Sequence, residues 1–167
     1  TSSYEHPAIL KVCDYLKSNG IEVTLIKPSN NGTINYLDIE NRIQNNTKLI
    51  SIMYVNNEIG SINPIKEISQ LTKENKILFH TDAVQAMGKI NIDVKDIGVD
   101  LLSLSGHKFY GPKGVGILFV KEATLVKPIL FGGGQESDLF PGTENIINIG
   151  AIGKAAELCM KNIDSHT

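Results

Sequence analysis

The sequence of 167 residues has no tryptophan, only two cysteines and a single arginine, and these shortages limit what it can be. Cys13 and Cys159 have no CxxC partner, which argues against a disulfide framework or a cysteine-based zinc site and favours two buried small apolar side chains. The longest apolar stretches, such as Val115 to Val120, are far shorter than the ~18 residues that a membrane span requires. The sequence therefore predicts no membrane segment.

No large charge excess is present either, because 16 Lys and Arg face 18 Asp and Glu for a net charge of −2. Without a basic stripe to follow a phosphate backbone, nucleic acid is not an expected partner. The first six residues lack the basic and then apolar layout of a signal peptide, so a cytoplasmic location is expected. Hydrophobic residues make up 41% of the chain, enough for one globular domain with a real core.

Helical and strand patterns alternate along the chain. The spacing of apolar residues predicts helices over His6 to Leu16, Tyr36 to Gln44, a segment opened by Pro64, and Ile149 to Ile163, and strands over Glu22 to Ile26, Leu49 to Val55, Ile77 to His80, Asp100 to Leu104 and Val115 to Val120. This alternation predicts an α/β fold with a mixed, mostly parallel sheet flanked by helices. Ligands in such sheets bind where the strands end.

Three polar clusters follow predicted buried strands: Asn56 to Glu58, Asp82 to Gln85, and Ser105 to Lys108. Apolar neighbours of Lys108 would desolvate its amine and favour the neutral form, which attacks carbonyl groups. A single lysine is more often a solvated surface group, and an aspartate after a strand is often a helix cap. The repetition of polar clusters at one sheet edge carries the functional signal.

Pyridoxal phosphate, an aldehyde cofactor that binds a lysine as a Schiff base, requires a protein group for each of its parts. The candidates are Asp82 for the pyridinium nitrogen, Gln85 for the phenolic oxygen, His6 for stacking on the ring, and Ser105 with His107 for the phosphate beside Lys108. The phosphate and Schiff-base candidates are adjacent in sequence because both groups belong to one small ring.

Other kinds of site fit the sequence less well. The glycine-rich segments Gly111 to Gly116 and Gly132 to Gly134 match neither phosphate-loop pattern and are expected to be backbone turns. The four histidines, His6, His80, His107 and His166, do not have zinc-site spacing, and no metal site is expected. A G-x-S-x-G nucleophile elbow is also missing.

Five ordered motifs are the most specific feature of the chain. They are Glu5-His6, Val55 to Gly60, His80 to Gln85, Ser105 to Gly114, and Gly132 to Glu136 followed by Gly142 to Asn145. Together they closely resemble the large domain of NifS-like cysteine desulfurases, in the aminotransferase class V group of pyridoxal phosphate enzymes. The resemblance runs from His6 to about Glu157. It implies that residues 1–167 are a single cofactor-binding large domain, incomplete at both ends and without the small C-terminal domain.

The resemblance implies removal of sulfur from L-cysteine to give L-alanine and a persulfide, which a sulfur-acceptor protein uses for iron–sulfur cluster or thio-cofactor assembly. By match to the motifs, the implied roles are Schiff-base lysine for Lys108, pyridinium partner for Asp82, phenolic-oxygen donor for Gln85, stacking ring and proton carrier for His6, contact to cofactor and substrate for Asn57, and phosphate ligands for Ser105 and His107. Thr143 matches a residue that binds the phosphate held by the other subunit, which implies a homodimer.

The chain departs from the family pattern at several positions. Ser137 and Phe140 stand where family members usually have arginine, so local charge is lost. Arg42, on a predicted helix, is no candidate for the substrate-carboxylate clamp, and neither Cys13 nor Cys159 matches the sulfur-accepting cysteine of the family. The clamp arginine and the catalytic cysteine are therefore expected outside this chain, and the isolated chain is expected to have little or no desulfurase activity.

Two alternatives remain open at this point. Another class V enzyme, such as a selenocysteine lyase or a small-amino-acid aminotransferase, would share Lys108 and Asp82. A truncated, non-catalytic scaffold for sulfur-transfer partners would not need to bind the cofactor.

Overall fold

The fold is built on a four-stranded mixed sheet in a computed structural model that describes residues 1–122 and 124–163. The strands lie side by side in chain order: β1 (Leu49–Ser51), β2 (Leu78–Asp82), β3 (Leu101–Ser105) and β4 (Gly116–Val120). The first three are parallel, and β4 pairs antiparallel with β3. The predicted mixed, mostly parallel sheet is confirmed.

Five α-helices accompany the sheet in the described residues: α1 (Pro7–Ser18), α2 (Tyr36–Glu40), α3 (Ile65–Glu74), α4 (Val94–Ile97) and α5 (Ile146–Lys161). Side chains cap several of them: His6 Nδ1 accepts from the backbone of Ala8 at the start of α1, and Asp93 accepts from the first backbone N–H groups of α4. No helix in these residues is long and apolar enough to cross a lipid bilayer.

The main core lies between one face of the sheet and the helices α2 and α3, with Phe79, Ile52 and Ile68 completely buried. A second, smaller cluster packs α5 against the segment that follows β3, through residues that include Phe109 and Cys159. Burial of Cys159 confirms its expected packing role, whereas Cys13 is half-buried on α1.

The predicted strand over Glu22 to Ile26 is wrong. This segment forms only an isolated parallel bridge between Ser2 and Ile26, with hydrogen bonds from Thr1 and Ser3 to its backbone. A strand needs a continuous ladder of backbone bonds, and the short segment before α1 supplies only three.

Several element ends also differ from the predictions. The helix α2 ends at Glu40 instead of Gln44, and α5 begins at Ile146 instead of Ile149. The strand β1 ends at Ser51, although backbone bonds from Ile52 and Tyr54 to β2 continue beyond it. The four-residue α4 was not predicted, because one turn is too short for an apolar period.

Candidate cofactor site

The carboxyl ends of the parallel strands bring the predicted polar clusters to one edge of the sheet. Asp82 is the last residue of β2, and it pairs in register with Ser103 of β3. Ser105 lies two residues further along β3 on the same face, because side chains alternate along a strand. A 3₁₀ turn, Gly106–Lys108, then carries His107 and Lys108 beyond the strand.

Asp82 is a buried carboxylate, with 8% of its surface exposed. Its Oδ1 accepts a hydrogen bond of 2.9 Å from the backbone N–H of Val84, so it does hold the following turn as a cap. None of the lysines or Arg42 forms an ion pair with Asp82 in the described part of the chain. A buried charge normally requires a partner, so this carboxylate is available to a cationic group of a ligand.

Lys108 is exposed, and the expectation that apolar neighbours desolvate it is wrong for this chain. Phe109 turns into the second core cluster, while Tyr110 is 88% exposed and takes a left-handed backbone conformation with φ of 65°. The two aromatic residues therefore leave the amine in contact with solvent.

A second amine, Lys89, lies beside Lys108. The two residues line a cleft of about 130 Å³ together with Met87, Gly88, Phe109 and Tyr110. Partial burial lowers the pKa of Lys89, and the charge of Lys108 lowers it further. Lys89 therefore gives up its proton more readily than a fully solvated lysine does.

Lys89 also orients Gln85, because its Nζ donates to both the side-chain Oε1 and the backbone oxygen of Gln85 at 3.0 Å. With the amide oxygen taken, no described residue accepts from the amide nitrogen of Gln85. That nitrogen can therefore donate to an anionic oxygen, as expected for the phenolic-oxygen partner.

Ser105 and His107 hold each other in place, with 2.9 Å between Ser105 Oγ and His107 Nδ1. The half-buried hydroxyl and the exposed imidazole present polar groups next to Lys108. Two groups of this kind suit a phosphate, which accepts several hydrogen bonds.

His6 and Asn57 lie exposed on two segments that hydrogen bonds connect near the end of β1. Asn56, which is buried, donates to the backbone oxygen of Tyr4 and caps the turn after Asn57. Glu5 accepts a 2.9 Å bond from the backbone of Met53, so the segment that carries His6 is fixed to the chain beyond β1.

Thr143 is not joined to the cluster by any hydrogen bond in the described residues. It is exposed, in the long loop between β4 and α5, together with Ser137 and Phe140. Its expected role across a subunit interface stays a prediction.

Glu5 and His80 belong to the sequence motifs but were given no role at the site, and Lys89 was not singled out. Glu5 is 3% exposed, and its Oε2 has no hydrogen-bond partner in the described residues. For His80 the signal was available, since it precedes Asp82 by two residues and so shares its face of the strand. Lys89 follows Gln85 by four residues, which is contact spacing on one face of a helical turn.

Burial raises the pKa of Glu5 above 4.5, while the hydroxyl of Ser2, which donates at 2.6 Å, opposes that rise. The native state then holds the proton more tightly than the unfolded state, and the contribution of Glu5 to stability is lost as pH rises through its native pKa. We expect Glu5→Gln and wild type to differ little at pH 4, and the variant to gain in relative stability towards pH 8.

Urea unfolding across this pH range measures the difference in the free energy of unfolding. Ser2→Ala is the matched variant: it removes the hydroxyl that lowers the pKa, so its stability should fall more steeply with pH than that of wild type. A difference between wild type and Glu5→Gln that stays constant with pH would contradict the raised pKa.

Gly111 closes the turn that carries Lys108. Its N–H donates to the oxygen of Gly106 at 2.9 Å, and a Cβ at position 111 would lie 2.9 Å from that same oxygen. We expect Gly111→Ala to destabilise the chain by about 1–3 kcal/mol, because backbone must move to make room. Gly153 lies in α5 with open space around it, so Gly153→Ala should stabilise by about 1 kcal/mol. Denaturant unfolding compares the two, and equal effects would show that the turn is not closely packed.

A larger cavity of about 410 Å³ lies elsewhere, at the free edge of β1. Arg42 and Cys13 line it, but none of the predicted site residues does. In residues 1–122 and 124–163, we find no group of three or more His, Cys, Asp or Glu side chains that could hold a metal ion. His166 lies outside the described residues.

Comparison with known proteins places this geometry in a family. A model of the aminotransferase class-V family matches residues 1–167. The cysteine desulfurase IscS of Clostridium botulinum (strain Hall) is 50% identical over 163 residues, which are 98% of this chain and 41% of that protein. The chain thus spans about two-fifths of the length of the curated relatives it matches.

Two solved structures share the fold. SspA in complex with cysteine superposes with a TM-score of 0.91 at 45% identity, over 93% of this chain and 46% of that one. A NifS-like protein superposes with a TM-score of 0.95 at 36% identity, over 98% of this chain and 46% of that one. Since the family model covers the whole chain and these folds agree closely, the chain belongs to the aminotransferase class-V family.

Proposed function

We propose that this chain is the cofactor-binding part of a pyridoxal phosphate-dependent cysteine desulfurase, which converts L-cysteine to L-alanine and passes the sulfur to an acceptor protein for iron–sulfur cluster or thio-cofactor assembly. The observation that carries the proposal is the arrangement of Asp82 and Lys108. Asp82 is buried at the end of β2 without an ion-pair partner in the described residues, and exposed Lys108 lies in the turn that follows β3, the parallel neighbour of β2. The relative from Clostridium botulinum is named cysteine desulfurase IscS, and the similar structure of SspA is a complex with cysteine.

The residues present fit pyridoxal phosphate. Asp82 lacks a cationic partner in the described chain, and a protonated ring nitrogen would supply one. When bound, pyridoxal phosphate supplies an electron sink that weakens bonds at the α-carbon of an amino acid. Lys108 provides the amine that holds the aldehyde, and Lys89 lies beside it in the same cleft.

The surrounding side chains orient and move protons. Ser105 and His107 are the proposed phosphate ligands, and the amide nitrogen of Gln85 is the proposed donor to the phenolic oxygen. His6 caps α1 through Nδ1, which leaves Nε2 and the exposed ring face free to stack on the cofactor and to carry a proton. Asn57, exposed after β1, is the proposed contact to cofactor and substrate.

Neither cysteine of the chain suits the sulfur-accepting step. Cys159 is 7% exposed, and its Sγ donates to the backbone oxygen of Phe109. Burial raises the pKa of the Cys13 thiol, which disfavours the thiolate nucleophile. We place the accepting cysteine and the arginine that binds the substrate carboxylate outside this chain, and we expect little desulfurase activity from the chain alone.

A homodimer is part of the proposal. Thr143 lies in an exposed loop, as a residue that reaches a second subunit would. Large apolar side chains of the same region, including Phe131, Phe140 and Ile147, are exposed, and exposed apolar surface favours association. A cytoplasmic location, without nucleic-acid or membrane partners, completes the proposal.

Titration of the purified chain with pyridoxal phosphate tests the proposal. We expect a visible absorbance band that free pyridoxal phosphate lacks, and no such change with pyridoxine 5′-phosphate, which has no aldehyde. If the band does not form, the truncated-scaffold alternative is favoured. In a longer chain that carries the arginine and the accepting cysteine, L-cysteine should yield alanine and, with a reductant, sulfide; transfer of the amino group without release of sulfur would favour another class V activity.

A further inference from the structure

Three side chains form a hydrogen-bonded row across the parallel part of the sheet. His80 lies in the centre on β2, with 2.8 Å between its Nδ1 and Ser51 Oγ of β1. On the other side, its Nε2 lies 2.9 Å from Ser103 Oγ of β3. Both ring nitrogens of His80 therefore have hydrogen-bond partners. The row connects all three parallel strands, and on β2 it lies two residues before Asp82.

The row adjoins Asp82 through two independent relations. His80 and Asp82 are two residues apart on one strand face, and Ser103 is the register partner of Asp82. Backbone hydrogen bonds join β2 to both neighbouring segments at Asp82: the N–H of Tyr54 donates to the backbone oxygen of Asp82, and the N–H of Ala83 donates to the backbone oxygen of Ser103. The backbone ladder sets the strand spacing, while the row fixes the side chains that lie beside Asp82 on this face of the sheet.

The row also keeps cationic charge away from Asp82. Burial lowers the pKa of His80, while attraction to Asp82, its charged neighbour on this face, opposes that shift. The neighbours of His80 on β1 and β3, which are Ser51, Ser103 and Leu101, carry no charge. A neutral imidazole leaves the carboxylate to the ligand, whereas an imidazolium would compete for it.

We propose that His80 is a positioning residue of the cofactor site: by bridging Ser51 and Ser103 it fixes Ser103, the register partner of Asp82, and so places the Asp82 carboxylate for the ring nitrogen of pyridoxal phosphate. This inference rests on the proposed function. His80 acts on the cofactor only through Asp82, so its effect should disappear when the Asp82 charge is removed.

A double-mutant cycle tests the inference. The dissociation constant for pyridoxal phosphate is measured in wild type, His80→Ala, Asp82→Asn and the double variant. We expect His80→Ala to weaken binding about 10-fold in the wild-type background and less than about 2-fold in Asp82→Asn, since coupled residues are not additive. His80→Gln retains a donor and an acceptor and should stay within about 3-fold of wild type.

Leu78, which precedes His80 by two residues on β2, is the matched structural control. Leu78→Ala perturbs the same strand without touching the row, and its effect should be equal in both backgrounds. Circular dichroism and thermal unfolding establish that each variant folds. Equal effects of His80→Ala in both backgrounds would overturn the positioning role, whereas absence of cofactor binding in wild type would overturn the proposed function and this inference with it.

A second readout needs no cofactor. The pKa of the His80 ring, followed by NMR in the free chain, should fall further in Asp82→Asn, because the attraction that opposes the burial shift is removed. An unchanged pKa would show that the charge of Asp82 does not act on His80. That result would overturn the inference while leaving the proposed function intact.

Discussion

Lys108→Ala is expected to abolish covalent capture of pyridoxal phosphate. The side chain is exposed at the end of a 3₁₀ turn and forms no hydrogen bond or ion pair in the described residues, so its loss should change the free energy of unfolding by less than about 0.5 kcal/mol. The amine of Lys108 is the proposed group that bonds to the aldehyde of the cofactor, and the methyl group of alanine cannot form that bond. The visible band should therefore be absent, while the thermal unfolding temperature stays close to that of wild type.

Two lysines serve as controls for this prediction. Lys113→Ala removes an exposed lysine five residues away, and it should leave the band unchanged. Lys89→Ala removes the hydrogen bonds that orient Gln85, so we expect the band to persist but to require a higher concentration of pyridoxal phosphate. A band of full intensity in Lys108→Ala would show that another amine binds the cofactor.

Asp82→Asn is expected to weaken pyridoxal phosphate binding by about 30-fold or more, which corresponds to at least about 2 kcal/mol for loss of a buried charged contact. The asparagine oxygen can still accept from the N–H of Val84, so the turn after β2 is retained. Removal of a buried charge without a cationic partner should leave the fold as stable as wild type or more stable. Fluorescence or absorbance titration measures the affinity, and urea unfolding measures the stability.

Asp93→Asn is the matched control, because Asp93 is also a capping aspartate and asparagine caps a helix equally well. Both the affinity and the stability should remain near the wild-type values. If Asp82→Asn binds the cofactor normally but unfolds readily, Asp82 is a structural cap and not the ring-nitrogen partner.

The sheet and the position of its polar edge were predictable from sequence, because apolar runs such as Leu49 to Val55 and Ile77 to His80 are typical of buried parallel strands. The segment Glu22 to Ile26 has the same β-branched pattern but no ladder partner along its length. The alternation of apolar residues predicts which side chains are buried, but it does not show which backbone segments pair. The wrong prediction of a strand over Glu22 to Ile26 therefore could not be avoided from sequence.

Residue types at the site were predictable, but their environments were not. The desolvation expected for Lys108 failed because Phe109 points into a core formed by α5, about forty residues later in the chain. The contact of Lys89 with Lys108 depends on how two strand-end turns pack, which no local spacing reveals. Similarly, the bonds of His80 require the register of three strands.

Borohydride reduction of the chain in the presence of pyridoxal phosphate, followed by peptide mass mapping, tests the central claim most directly. The account predicts one added cofactor mass, on the peptide that contains Lys108, and much less of it in Asp82→Asn at low cofactor concentration. A cofactor mass spread over many surface lysines, or concentrated on Lys89 instead, would contradict the assignment of Lys108 as the residue that holds the cofactor.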